Sequence, residues 1–142
     1  MTIPQWTLLG FAAWTLLLLM ATVGVYRWGS ILFAKAAIAS FPHDAPEGAG
    51  WYQRGTRAHA NCIENLPVFG VIVYLITTTG LEGPLVDALC IATLAARIVQ
   101  SCVHISHVQT NAFVAVRFSF YSVQLVSFLV LIGMVASRAL ES

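Results

Sequence analysis

Eighteen consecutive residues without a formal charge, LLGFAAWTLLLLMATVGV at positions 8 to 25, constrain this chain more than any other feature. A run of that length is about the minimum that crosses a bilayer as a helix, because the hydrocarbon core is about 30 Å thick and a helix rises about 1.5 Å per residue. Composition points the same way. Of 142 residues, 58% are hydrophobic and 9% charged, with a mean hydropathy of +0.81, whereas a water-soluble domain covers its surface with about 25% charged residues. The preceding residues MTIPQWT hold no basic side chain and further apolar segments follow, so the run is expected to be a retained span and not a cleaved signal peptide. A net charge of +1 supplies no basic surface for nucleic acid. Cys62, Cys90 and Cys102 form no CxxC pair and read as small apolar residues in helices.

Breaks between apolar segments divide the chain into four. The loop FPHDAPEGAG holds two prolines and two glycines, GLEGP marks a turn at 80 to 84, and Thr110-Asn111 marks another short connection. The expected fold is all-α: a single domain over 1–142, a four-transmembrane-helix up-down bundle with spans at about 5–38, 51–79, 84–107 and 111–138. Pro67 is expected to bend the second span. Lys35, Arg54 and Arg57 flank the long loop, Arg97 and Arg117 fall in the halves of their spans nearest it, and Arg138 stands alone at the other side. By the positive-inside rule this multi-pass chain places its long loop 39–50 in the cytoplasm and both termini on the opposite side.

Polar side chains inside spans are costly and face a bundle interior, a cavity or a subunit interface. Here they recur at helical spacing. Arg57, Asn61 and Glu64 stand at i, i+4 and i+7; Arg97, Gln100, Ser101 and His104 at i, i+3, i+4 and i+7; Arg117, Tyr121 and Gln124 likewise. All three stripes fall in the half nearest the long loop. One reading is a buried ion pair of Glu64 with Arg57 or Arg97 that merely holds helices together. The other is a cation-rich site for an anionic ligand, because one carboxylate cannot neutralise three arginines. His104 and His107 are three apart, a metal-compatible spacing, but no third ligand of convincing spacing joins them and arginines nearby oppose a cation, so no metal is expected.

The second-span residues Arg57-Ala58-His59-Ala60-Asn61-Cys62-Ile63-Glu64, followed by Pro67, resemble the hallmark of the MAPEG family, the membrane-associated proteins in eicosanoid and glutathione metabolism. Looser matches are Arg97 with Gln100 in the third span and Arg117 with Tyr121 in the fourth. The resemblance covers about residues 5 to 138 and implies a four-helix membrane protein that forms a homotrimer among membrane lipids, with glutathione bound between subunits. It implies that Arg57, Asn61 and Glu64 belong to the glutathione-binding set, with Arg97, Gln100, His104 and Lys35 as further binding candidates. It also implies that Arg117 is the catalytic arginine beside the thiol, with Tyr121 one turn away. A guanidinium close to sulfur favours the thiolate, the nucleophilic form, and its planar fork suits carboxylates.

The chain also departs from the pattern. His104 stands where several eukaryotic members carry a tyrosine, Phe118 where prostaglandin-synthesising members carry serine, and Ala60 where some carry a further arginine. These differences argue against a specific eicosanoid synthase. The expected function is a glutathione transferase or peroxidase acting on a lipophilic small molecule. The alternative is a non-catalytic protein of the same fold that binds a lipid headgroup or another anion. A transporter fits less well, since four spans show no inverted repeat.

Overall fold

The computed structural model describes residues 1–33, 49–106 and 110–141. The described residues form helices joined by short turns and contain no strand. The helices are α1 (Ile3–Leu18), a π-helical turn at Leu19–Gly24, α2 (Val25–Phe33), α3 (Gly50–Thr78), α4 (Pro84–Ser106) and α5 (Asn111–Glu141). The first three run on as one rod, Ile3–Phe33, so four helices are long and apolar enough to cross a membrane. The shortest, α4, has 23 residues, about 35 Å at the helical rise and enough for the hydrocarbon core. The expected spans lie within a few residues of these helices at most ends. Residues 34–38 of the first expected span and the loop expected at 39–50, up to residue 48, lie outside the described residues.

Local chemistry sets the helix ends. The Thr2 amide donates to Gln5 Oε1 at 2.9 Å, covering an end donor of α1. At the end of α3 the Leu81 amide donates to the Ile76 carbonyl and the Gly80 amide to the Thr77 carbonyl. This paired closure needs a left-handed residue, and Gly80 supplies it at φ 60°. Pro84 then opens α4, where its missing N–H costs nothing. Helix α3 runs unbroken through Pro67.

One buried stripe on α4 organises the bundle. Val86, Cys90, Thr93, Arg97, Gln100 and His104 are all buried, and their alternating spacing of four and three is that of a helix packed along a seam. Its first half is apolar and its second half polar. The apolar half belongs to the main core, where Phe69 of α3 lies between Phe11 of α1 and Phe128 of α5 at ring-centroid distances of 5.7 and 5.9 Å. Ile72, Val73, Ile76 and Leu131 extend that core. Buried hydroxyls satisfy themselves on their own helices: Thr15 donates to the Phe11 carbonyl at 2.9 Å, Thr93 to Leu89 at 2.9 Å and Ser127 to Val123 at 2.8 Å. Small polar residues therefore face the bundle without orphaned groups, as close helix packing in lipid requires.

At Gly55, α3 lies close against the first rod. A Cβ there would lie 2.6 Å from Thr22 Cβ, on the π-helical turn. Gly55→Ala is expected to lower the stability of the detergent-solubilised protein by about 1–2 kcal/mol, overpacking outweighing the gain in helix propensity. Thermal unfolding checks this, and an unchanged midpoint would mean that the two helices part at no cost.

Candidate functional site

The polar half of the bundle contains a cavity of about 240 Å³ on the outward side of α3, α4 and α5. Asn61, Glu64 and Asn65 come from α3, Gln100 from α4, and Val114, Arg117, Phe118 and Tyr121 from α5. Each set follows from helical spacing: 61, 64 and 65 share one face of α3, and 114, 117, 118 and 121 share one face of α5. The cavity thus has a carboxylate and two carboxamides on one wall, and a guanidinium, a carboxamide and a phenol opposite. Phe118 and Tyr121, at a ring-centroid distance of 6.5 Å, lie at its outer rim, and both are exposed.

Five of the residues singled out from sequence therefore converge: Asn61, Glu64, Gln100, Arg117 and Tyr121. Arg57 does not line the cavity; it is exposed one turn along α3 from Asn61. Arg97 and His104 do not line it either. Arg97 is 1% exposed, with its guanidinium carbon 5.6 Å over the Phe11 ring. Its Nε and Nη2 have no hydrogen-bond partner among the described residues, so neither nitrogen makes the ion pair with Glu64 that its spacing allowed. His104 is buried, with both ring nitrogens unpartnered among the described residues. Lys35 and His107 lie outside the described residues.

Two arginines have structural partners. Arg54 Nε donates to the Ile105 carbonyl at 2.8 Å, capping the end of α4 where carbonyls lack helical donors. Arg27 Nε donates to the Tyr52 hydroxyl at 3.0 Å, and Tyr26 stacks on the Tyr52 ring at 4.1 Å. His59 Nδ1 lies 3.2 Å from the Thr15 carbonyl, a contact between α3 and α1.

The amides of Gln100 and Gln124 tie α4 to α5 behind the cavity. Gln124 Nε2 donates to Gln100 Oε1 at 3.0 Å, and Gln100 Nε2 donates to the Arg117 carbonyl at 3.3 Å. This bridge was not predicted from sequence, nor was the part played by Asn65, Val114 and Phe118. The lining residues were within reach, since Asn65 follows Asn61 by one turn and Val114 and Phe118 flank Arg117 on its own face. The bridge was not, because spacing does not show which residues of two helices meet.

A larger cavity, about 510 Å³, lies at the far end between the start of α1 and the turn joining α3 to α4, and includes Glu82 and Asp87. It contains none of the stripe residues and no basic side chain. No curated protein and no solved structure matches the chain. The sequence profile of the MAPEG family matches residues 6–137, nearly its whole length. With that match and four helices of membrane-spanning length and apolarity, the chain fits a multi-pass integral membrane protein and belongs to the MAPEG family.

Proposed function

We propose that this protein is a glutathione-dependent transferase or peroxidase of the membrane, acting on lipophilic electrophiles. The observation that carries the reading is the convergence of Asn61, Glu64, Gln100, Arg117 and Tyr121 on one cavity. Glutathione offers two carboxylates, an ammonium and a thiol. We assign Glu64 to the ammonium and Arg117 to an anionic group, on the charge each brings to the cavity. The bound thiol loses its proton to water, and the Arg117 guanidinium stabilises the thiolate. The thiolate attacks an electrophilic carbon, forming a C–S bond as the leaving group departs with its electron pair. With a hydroperoxide it attacks oxygen, the O–O bond breaks and the alcohol leaves. The sulfenate takes up a proton from water, and the thiol of a second glutathione attacks its sulfur, giving the disulfide and water. The exposed rim of Val114, Phe118 and Tyr121 suits entry of an apolar substrate from the bilayer.

Arg57 and Glu64 are exposed on α3, a helix long and apolar enough to cross a membrane, and charge left uncovered within a span is expensive. Covering these charges calls for a neighbouring subunit, which favours a homotrimer with this cavity at its interface. The arginine-rich end faces the cytoplasm and both termini the other side. Arg57, exposed one turn along α3 from Asn61, is a further contributor to anion binding. A second reading, a non-catalytic site for a lipid headgroup, draws on the same apolar rim.

Calorimetry of glutathione with the detergent-purified protein, with thiolate ultraviolet absorbance followed in parallel, separates the two. Saturable binding with a thiolate signal supports the enzyme. No binding to a folded protein removes glutathione and leaves the anion or lipid reading.

A further inference from the structure

The cavity wall formed by Gln100 has a fixed polarity. The two ends of a carboxamide have nearly the same shape, so only their partners decide which end faces where. Here the chain of partners runs between two backbone carbonyls, which accept and never donate. Gln124 Nε2 donates to the Phe120 carbonyl at 3.1 Å and to Gln100 Oε1 at 3.0 Å. Gln100 Nε2 in turn donates to the Arg117 carbonyl at 3.3 Å. Turning Gln124 over would set its oxygen against two oxygens. Turning Gln100 over would set oxygen against the Arg117 carbonyl and nitrogen against nitrogen. Gln124 is 1% exposed and Gln100 7%, so solvent cannot readily replace these partners. The arrangement leaves Gln124 Oε1 buried with no hydrogen-bond partner among the described residues, which is the cost of directing its nitrogen to both acceptors.

We infer that Gln124, which does not line the cavity, is a positioning residue: it holds the Gln100 amide with its nitrogen on the Arg117 side and its oxygen turned away towards Gln124. The ligand group taken there is an acceptor, an anionic oxygen or a thiolate, and not an ammonium. With Glu64 as the acceptor on the facing wall, the cavity has a donor side and an acceptor side, and a zwitterionic ligand enters it in one sense. Glutathione as that ligand rests on the function proposed above; the orientation of the amide does not.

The test uses the full chain in detergent and three variants: Gln124→Met, Gln100→Met and the double variant. Nitrogen-15 magnetic resonance identifies the Gln100 side-chain amide by its loss in Gln100→Met. That signal is expected to move in Gln124→Met, where its oxygen loses the fixed donor. Glutathione affinity is expected to fall about tenfold in Gln124→Met, the scale of a hydrogen bond to a charged group. It should fall no further in the double variant than in Gln100→Met, because Gln124 acts through Gln100. A Gln100 signal unmoved by Gln124→Met, or losses that multiply in the double variant, would overturn the inference. If the wild type binds no glutathione while the signal moves as expected, the glutathione reading fails and the locked donor corner stands.

Discussion

Arg117→Ala is expected to leave the bundle folded and to reduce glutathione-dependent turnover by about 10²–10³, the range seen when one preorganised donor to a developing or resident anion is removed. Arg117 is only partly buried, and its Nε has no hydrogen-bond partner among the described residues, so its loss removes no observed Nε contact from the fold. The link from structure to rate is the ionisation of the bound thiol. A free thiol ionises near pH 8.5, and each unit by which the guanidinium lowers that value takes about 1.4 kcal/mol of preference for the thiolate. The sign is therefore fixed. In the wild type the ascending limb of the pH–rate profile should lie below the free-thiol value, and in Arg117→Ala it should move up towards it. Activity of the variant should recover in part as pH rises. Arg117→Lys should fall between the two, keeping the charge and losing the planar fork. A profile that loses height without shifting would assign Arg117 to binding alone, and turnover unchanged in a folded Arg117→Ala would remove it from the chemistry.

The largest expected loss of stability comes from Phe69→Ala. Phe69 is 0% exposed and lies between Phe11 and Phe128, so one truncation opens a void facing both α1 and α5. In a water-soluble core such a change costs roughly 3–5 kcal/mol. Lipid tails are as apolar as the side chain, so the transfer part of that cost is small here and the lost packing remains. The expected destabilisation is about 2–3 kcal/mol, read as a lowered midpoint of denaturant or thermal unfolding in detergent. Phe69→Leu should cost distinctly less, because it fills more of the void. Equal losses in the two variants would point to the ring contacts themselves and not to volume.

Much of this architecture was legible in the sequence, for a physical reason. A bilayer forces every backbone polar group to be satisfied within its own helix, so apolar length and the breaks between segments fix the helices almost alone. The periodicity of the polar residues then places each stripe on a face of its helix. It does not say what covers that face. The stripe at Arg97, Gln100 and His104 faces inward and is buried, the stripe at Arg57, Asn61 and Glu64 faces outward, and the stripe at Arg117, Tyr121 and Gln124 passes from cavity to interior. Helical spacing alone makes the three alike. Arg97 shows the limit: its spacing matched the cavity residues, yet it lies over Phe11 in the interior. Arg54 shows it from the other side, since a residue one turn before the second-span motif caps the end of a different helix.

The π-helical turn at Leu19–Gly24 sets the phase of everything that follows it. Such a turn carries one residue more than an α-helical turn of the same rise, and each residue advances the chain about 100° around the axis. The two halves of the first rod are thus clocked against each other by a single residue. Phe11, Thr15, Leu18 and Thr22 face inward at ordinary helical spacing, Val23 next to them is also buried, and beyond the turn Arg27 lies against Tyr52. Removing one residue from the turn would rewind the second half by the same angle and carry Arg27 away from its partner, while the first half kept its seat in the core. Rotation at the polar end of this helix is therefore adjustable in steps of one residue, independently of the apolar end.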